Sequence, residues 1–427
     1  MRTFIYPSSN QILEAIQRPE LAEQDLQSIV KKVFDDVRSN GDEALYKYTL
    51  QFDKVELTDF EVSQNEFNEA QQSLSEDLKS AILQAAENIR AFHARQYEEP
   101  QVIETMPGVR CWRKSVPIER VGLYIPGGTA PLFSTVLMLA IPASIAGCKE
   151  ITLCSPAGAD GKIHPAILFA ASTVGVTRVL KLGGIQAIAA LAVGTKSIDS
   201  CYKIFGPGNQ YVTASKKYAQ QLGVAIDMPA GPSEVMVVAD EVSNADFIAA
   251  DLLSQAEHGA DSQVVLLSTS QEKVVQVQEA LKVQLKELSR NEFAAKALGN
   301  SSAIVVQKEE LLSIINQYAP EHLILQTEFN EELLPGIVNA GSVFLGPFTP
   351  ESAGDYASGT NHTLPTNGYA RMYSGVSLDS FIKKITFQEI SRQGLQNIGR
   401  TIEVMADAEG LDAHRNAVTI RLQALEK

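Results

Sequence analysis

The chain has 427 residues and a formal net charge of −15, and 45% of its residues are hydrophobic against 20% charged. This is the composition of a globular protein with enough apolar material for two or three domains. Because nucleic acids and anionic membranes bind basic surfaces, the acidic balance argues against both partners. We find no signal peptide and no apolar run that would cross a bilayer, and therefore expect a cytoplasmic protein. The four scattered cysteines predict free thiols.

The N-terminal part of the chain predicts helices. Val30, Phe34 and Val37 recur at helical spacing, and residues 78–95 form a second amphipathic run. His93 is expected on the surface of that second helix. We expect these helices to complete an α/β unit that lies further along the chain.

Residues 121–234 alternate between short β-branched runs and helical runs, which predicts a parallel, doubly wound sheet. Three of the predicted strands end in glycine-rich turns, at Pro126-Gly127-Gly128, Gly183-Gly184 and Gly206-Pro207-Gly208-Asn209. Ligands of open α/β sheets bind at the edge formed by the carboxyl ends of the strands, so these turns indicate a nucleotide crevice. None of the turns is a G-x-G-x-x-G fingerprint, and ordinary turn chemistry is the alternative.

Residues 235–370 alternate again and predict a second α/β unit. Within it, Gln255 and His258 lie three residues apart on one helix face, where they would suit a divalent cation; a solvent-facing helix end is the alternative. Glu321 stands beside His322 at an element boundary, which suits proton transfer and water activation, with a surface turn as the alternative.

Two further polar segments carry histidines. Residues 351–362 predict a non-periodic loop with two acids and His362. Residues 409–414 have a similar composition, with small and acidic residues, and end in His414. The remainder, 371–427, reads as a helical appendage. Four of the six histidines thus lie in these polar motifs, which together predict one shared site with a metal.

In their residues and in their order along the chain, these motifs resemble the histidinol dehydrogenase family over essentially the whole chain. The resemblance also rests on Val37-Arg-Ser-Asn-Gly-Asp42, Val121-Gly-Leu-Tyr-Ile-Pro-Gly-Gly-Thr129, Gly184-Ile-Gln-Ala-Ile-Ala189, Phe205-Gly-Pro-Gly-Asn209 and Ala230-Gly-Pro-Ser-Glu234. It implies an α/β fold of two doubly wound, incomplete Rossmann-like, aldehyde-dehydrogenase-like parallel-sheet domains with N-terminal and C-terminal helical extensions. The implied parts are an arm (1–20), a first domain (21–120 with 235–370), a second domain (121–234) and the C-terminal extension (371–427).

The resemblance implies an enzyme that oxidises L-histidinol through L-histidinaldehyde to L-histidine with two NAD⁺ and one zinc ion per subunit. It implies Glu321 and His322 as the acid–base pair. The implied zinc ligands, which also contact substrate, are Gln255, His258, Asp355 and His414. Further substrate contacts would be Ser233, His322, His362 and Glu409, and the NAD site would contain Tyr124, Gln186 and Asn209.

The family resemblance also implies a homodimer in which the C-terminal extension crosses, so that Glu409 and His414 complete the partner's site. The same nitrogen and oxygen ligands would accept manganese or cobalt. Two alternatives belong to other classes. A zinc-dependent hydrolase would have no use for a dinucleotide crevice, and a non-catalytic binding module would tolerate loss of Glu321 and His322.

Overall fold

The computed structural model describes residues 1–19, 26–127, 130–229 and 231–426. They form two compact units. Unit 1 combines Met1–Arg95 with Ile118–Phe381, and unit 2 combines Gln96–Pro117 with Ile382–Lys427. Of the motif residues quoted above, Gly128, Thr129 and Ala230 lie outside the described residues.

The strands are numbered in chain order. They are β1 (Arg2–Ile5), β2 (Ile103–Met106), β3 (Val109–Pro117), β4 (Arg120–Tyr124), β5 (Glu150–Ser155), β6 (Arg178–Lys181), β7 (Lys203–Phe205), β8 (Ala225–Ile226), β9 (Glu234–Ala239), β10 (Gln263–Ser268), β11 (Ser302–Val305), β12 (His322–Gln326), β13 (Ser342–Leu345) and β14 (Ile382–Ile390).

The α-helices are numbered in the same way. They are α1 (Ser9–Ala15), α2 (Leu26–Asn40), α3 (Asp42–Tyr48), α4 (Gln64–Ser73), α5 (Glu76–Ala94), α6 (Phe133–Ala146), α7 (Pro165–Thr173), α8 (Gly184–Val193), α9 (Gln210–Gln221), α10 (Ala245–Ala256), α11 (Gln271–Gln284), α12 (Asn291–Gly299), α13 (Leu311–Tyr318), α14 (Asn330–Leu333), α15 (Glu351–Tyr356), α16 (Arg392–Ala408) and α17 (Asp412–Leu425). Short 3₁₀ turns cover Leu285–Glu287, Lys308–Glu310, Leu334–Gly336, Tyr369–Arg371 and Leu378–Phe381, and a π-helical turn covers Thr49–Asp53.

Unit 1 contains two parallel sheets, as the two alternating stretches of sequence predict. The five-stranded sheet has the order β6-β5-β4-β7-β8 and the six-stranded sheet the order β1-β11-β10-β9-β12-β13. Every pair of neighbouring strands in both sheets is parallel. The predicted α/β fold class is confirmed. The edge strand β1 lies in the predicted N-terminal arm, where the sequence analysis predicts no strand.

Each sheet of unit 1 is covered by helices on both faces. On the five-stranded sheet, one core joins α4, α5, α6 and α7, and the other joins α2, α3, α8 and α9. On the six-stranded sheet, one core joins α10, α11 and α12, and the other joins α1 and α13. Buried apolar side chains on both faces explain why the central strands read as nearly continuous hydrophobic runs.

The helices α2–α5 differ from one expectation. They pack on the five-stranded sheet, through side chains such as Val30 and Phe34 of α2, rather than completing the six-stranded sheet. His93 is also corrected, because it is fully buried on the same face of α5 as Ile82 and Ile89. An amphipathic pattern identifies the apolar face of a helix but not the surface that the face packs against.

Unit 2 is built on an antiparallel sheet of order β14-β3-β2, with α16 and α17 packed against each other. The sequence analysis predicts helices alone after residue 371, so β14 is a correction. Neither face of this strand is uniformly apolar, since Lys383 and Glu389 share a face with Ile385 and Phe387. No helix of the described residues is both long enough and apolar enough to span a bilayer.

Candidate active site

One cavity of unit 1, of about 340 Å³, is lined by most of the predicted site residues. They come from the amino ends of β9 and β12, the carboxyl end of α10, the segment after β13 and the turn after β7. The predicted residues in its lining are Ser233, Gln255, His258, Glu321, His322, Asp355, His362 and Asn209. In the six-stranded sheet the cavity lies at the amino ends of the strands, the edge opposite to the usual ligand edge.

Glu321 is a buried residue directly before β12. Its Oε2 accepts a hydrogen bond from the backbone N–H of Glu234 at 3.0 Å and lies 3.7 Å from Nδ1 of His322. Burial raises the pKa of Glu321 to about 8, although His322 and the Glu234 N–H oppose that rise. A carboxylate with this proton affinity is a much stronger base than an exposed one.

His322 is buried beside this carboxyl group. Its Nδ1 lies 3.2 Å from the carbonyl oxygen of Glu234, and its Nε2 lies 3.5 Å from Oδ1 of Asp355. Burial alone lowers the pKa of His322, but the carboxyl groups of Glu321, Glu351 and Asp355 outweigh that effect and raise it to about 10. Protonation of the His322 imidazole is therefore coupled to protonation of the Glu321 carboxyl group, because both lie close together and shielded from water.

His258, Glu351 and Asp355 are able to share a cation. One ligand atom from each lies within 4.8 Å of the others. Burial lowers the pKa of His258, against the effect of Asp355, and so favours the neutral imidazole that metals bind. Oε1 of Gln255 and Oε1 of Glu351 are buried and have no hydrogen-bond partner among the described residues. Buried oxygen atoms without donors, beside an imidazole and a carboxylate, fit a divalent cation.

The sequence analysis missed Glu351. It reads residues 351–362 as a loop, whereas the structure has the short helix α15 at Glu351–Tyr356. Residues four apart share one face of a helix, so the spacing of Glu351 and Asp355 is the signal that would have found it.

Glu409 and His414 lie in unit 2, apart from the other predicted ligands in sequence. Glu409 follows α16, and His414 lies in the first turn of α17. Both side chains are exposed in the single chain. The structure thus brings Gln255, His258 and Asp355 together within unit 1.

His362 has both ring nitrogens engaged. Nδ1 lies 2.8 Å from the carbonyl oxygen of Asp355, and Nε2 lies 3.0 Å from Oγ1 of Thr135. Because a carbonyl oxygen only accepts, Nδ1 carries the proton and Nε2 accepts from the threonine hydroxyl. Burial lowers the pKa of His362, against the effect of Asp355. The ring is held in a fixed orientation at the cavity wall.

The predicted cofactor residues lie at the carboxyl edge of the five-stranded sheet. The Tyr124 hydroxyl accepts the N–H of Gly184 at 3.1 Å, and Nε2 of Gln186 donates to Oδ2 of Asp53 at 2.9 Å. Oε1 of Gln186 is buried and has no hydrogen-bond partner among the described residues. Asn209 accepts the N–H groups of Tyr211 and Val212 with its side chain and so caps α9.

A second cavity of about 660 Å³ opens at this edge. Asp53, Gly127 and Pro156 line it, and Pro126 lines both this cavity and the one that holds the acid–base pair. An extended ligand with one end in each cavity fits this arrangement. Asp53 ends the π-helical turn and was not singled out by the sequence analysis.

The turn after β7 is fixed by a buried ion pair between Lys216 and Asp227. Lys216 donates to the carbonyl oxygen of Gly206 at 2.8 Å, and Asp227 accepts the N–H of Gly206 at 2.8 Å. A Cβ atom on Gly206 would collide with the carbonyl oxygen of Tyr124, and the φ of Gly206 is +128°. Only glycine allows this close approach.

The two parallel sheets, the buried acid–base pair and the His258, Glu351 and Asp355 cluster define an α/β protein of enzyme type, with a group of residues that could hold a cation. The model of the histidinol dehydrogenase family matches residues 16–422 of this chain. The chain is 58% identical to the histidinol dehydrogenase of Bacteroides thetaiotaomicron over 427 residues, which is 100% of both chains. It is 52% identical to that of Vibrio parahaemolyticus over 431 residues, which is 100% of this chain and 99% of the relative.

A solved structure agrees with these matches. The crystal structure of histidinol dehydrogenase from Elizabethkingia anophelis matches with a TM-score of 0.98 and 56% identity, and the match covers 100% of this chain and 99% of that one. The chain belongs to the histidinol dehydrogenase family. The family predicted from the sequence is therefore confirmed.

Proposed function

We propose that the protein is an NAD-dependent dehydrogenase of histidine biosynthesis that oxidises L-histidinol through L-histidinaldehyde to L-histidine. Family membership supports the reaction class. The observation that carries the proposal is the buried Glu321–His322 pair, which lines one cavity with His258 and Asp355, two of the three residues that could share a cation. Four-electron oxidation of an alcohol needs a base for the hydroxyl proton and a second group that hydrates the aldehyde.

In its neutral form, which a cation at the neighbouring cluster would favour, His322 is the base for both oxidations. It takes the hydroxyl proton of histidinol and later a proton of the aldehyde hydrate. Glu321 activates the water that adds to the aldehyde, for which a buried carboxyl group with a high proton affinity is suited. Ser233, His362 and Glu409 bind substrate, and the fixed ring of His362 gives a defined contact.

Zinc is the proposed metal, with Gln255, His258 and Asp355 of one chain and His414 of a second chain as ligands. Glu351 is an additional candidate because its oxygen belongs to the same cluster. When bound, zinc would hold the imidazole and amine of the substrate as an orienting template. Tyr124, Gln186 and Asn209 would hold NAD⁺, which accepts the hydride.

The proposed working form is a homodimer in the cytoplasm, with Glu409 and His414 completing the neighbouring site. Unit 2 supports this form because its elements expose large apolar side chains in the single chain. They include Ile385 and Phe387 on β14, Met405 on α16 and Ile420 on α17. Large apolar side chains exposed in this number are typical of a surface that another protein chain covers.

The test is NADH absorbance after mixing the protein with histidinol, NAD⁺ and zinc. We expect about two NADH per histidinol consumed, with histidine as the product, since each oxidation transfers one hydride. A chelator should abolish the signal, and added zinc should restore it. Histidine in place of histidinol is the control and should give no NADH. Absence of NADH under all these conditions would refute the proposal and leave a hydrolase or a binding module as the alternative.

A further inference from the structure

We propose that Arg18 is a positioning residue for the acid–base pair and that it acts through Glu234. It holds the residue whose main-chain N–H contacts Glu321 and whose carbonyl oxygen contacts His322. This inference rests on the proposed function, because the two residues need a fixed geometry only if they transfer protons. The sequence predicts no functional role for Arg18 or for Glu234.

Arg18 connects two elements that precede the reactive residues. Its Nε and Nη2 donate to the two carboxylate oxygens of Glu234 at 2.5 and 2.8 Å. Nη2 also donates to the carbonyl oxygen of Tyr318 at 2.8 Å, and the guanidinium lies 4.1 Å from the centre of the Tyr318 ring. Tyr318 is fully buried and ends α13, shortly before Glu321. One side chain therefore ties the start of β9 to the segment that leads into β12.

Glu234 in turn contacts the dyad with its main chain. Its N–H donates to Oε2 of Glu321 at 3.0 Å, and its carbonyl oxygen lies 3.2 Å from Nδ1 of His322. Nε2 of Gln255 donates to the same carbonyl oxygen at 3.3 Å. When Nδ1 donates to this carbonyl, Nε2 is the nitrogen left to exchange protons, and it is the atom that faces Asp355 and the cavity. A shift of the main chain at Glu234 would therefore disturb both reactive groups.

The burial of the pair favours positioning over simple stabilisation. The side chain of Glu234 is 3% exposed and that of Arg18 is 19% exposed. Desolvation offsets most of the attraction in such pairs, so an apolar pair of similar volume would stabilise the fold about as well. A bidentate arginine–carboxylate contact adds a defined geometry that an apolar pair lacks.

The experiment compares Arg18→Ala and Arg18→Lys with wild type in the zinc-loaded, full-length protein. A displacement of about 1 Å at a reacting group costs up to ~100-fold in rate, so we expect kcat to fall ~10- to 100-fold in Arg18→Ala. KM for histidinol should stay within about threefold, because the substrate contacts are unchanged. Added guanidinium should restore part of the lost kcat. Arg2→Met is the matched control, since Arg2 pairs with Glu14 on the surface of the same segment at 3.1 Å.

A double variant separates positioning from stability. Arg18→Met alone leaves the buried carboxylate of Glu234 without its partner, which destabilises the fold. Combining it with Glu234→Gln removes that charge, so thermal stability should recover while kcat stays low. Unchanged kcat per folded Arg18→Ala enzyme, or a kcat that recovers together with stability in the double variant, would overturn the inference. A wild-type protein without histidinol-dependent NADH formation would instead refute the proposed function.

Discussion

Oγ1 of Thr135 lies 3.0 Å from Nε2 of His362. Thr135 is in the first turn of α6, which follows the first strand of the five-stranded sheet, and His362 follows the last strand of the six-stranded sheet. The contact therefore joins the part of unit 1 built on the five-stranded sheet to the part built on the six-stranded sheet. The hydroxyl donates to the imidazole, so it orients a ring that we propose to bind substrate.

Thr135→Val should weaken substrate binding more than it slows the reaction. The change preserves side-chain volume but leaves Nε2 of His362 without a donor, at a cost of about 1 kcal/mol, or roughly a fivefold increase in KM for histidinol. Steady-state kinetics measure KM and kcat, and Thr135→Ser is the control because it keeps the hydroxyl. Equal KM values in the valine and serine variants would exclude this role for the hydroxyl.

Glu321→Gln and His322→Asn should affect the two oxidations differently. His322→Asn should slow both by ~100-fold or more, because the same base serves each step. Glu321→Gln should slow oxidation of histidinaldehyde more than oxidation of histidinol, because only the former needs activated water. Rapid-mixing measurements with each substrate separate the steps. If Glu321→Gln slowed both oxidations equally, the division of roles between the two residues would be wrong.

Mixed dimers test the proposed contribution of His414 to the neighbouring site. Glu321→Gln and His414→Asn should each form little histidine alone. A heterodimer of the two has one site that contains both intact residues, so random reassociation should restore about a quarter of the wild-type sites. Co-expression with two affinity tags allows the heterodimer to be isolated and assayed. An inactive heterodimer would place His414 in the site of its own chain, and an active His414→Asn homodimer would place His414 outside any site.

Asp53→Asn should change the pH dependence of stability. Burial raises the pKa of Asp53 to about 6, from 3.8, against the opposing hydrogen bond from Gln186. The folded state thus holds the proton more tightly than the unfolded state, and this contribution is present below pH 4 and lost as pH rises through 6. Two pKa units correspond to ~3 kcal/mol, which we reduce to about 1 kcal/mol because Asp53 is partly exposed.

Urea unfolding of the ligand-free protein at pH 4 and pH 7 measures this effect. At pH 7 the Asp53→Asn variant should be more stable than wild type, and the difference should shrink towards pH 4. Asp59→Asn offers a control on the exposed surface. A constant difference between wild type and the Asp53→Asn variant at all pH values would show that the Asp53 carboxyl group does not titrate as described.

The sequence predicts elements and local motifs well. The sequence predicts helical runs at Phe133–Ala146 and Pro165–Thr173, and α6 and α7 have these bounds because both helices are flanked by clear turn residues. Gln255 and His258, and Glu321 and His322, could be singled out because each pair is close along the chain. Contacts such as Thr135 with His362, or Arg18 with Glu234, join distant residues and leave no mark in spacing or periodicity. For the same reason, the sequence does not show which sheet the helices α2–α5 pack against.

The two sheets present opposite ends of their strands to the site, and this has an electrostatic consequence. The helices α10 and α13 end near the amino edge of the six-stranded sheet, so their free carbonyl groups bring partial negative charge to the region of Gln255 and Glu321. The helices α8 and α9 begin at the carboxyl edge of the five-stranded sheet and bring partial positive charge there. The helix backbones therefore make the amino edge of the six-stranded sheet favourable for a cation. They make the carboxyl edge of the five-stranded sheet favourable for a phosphate.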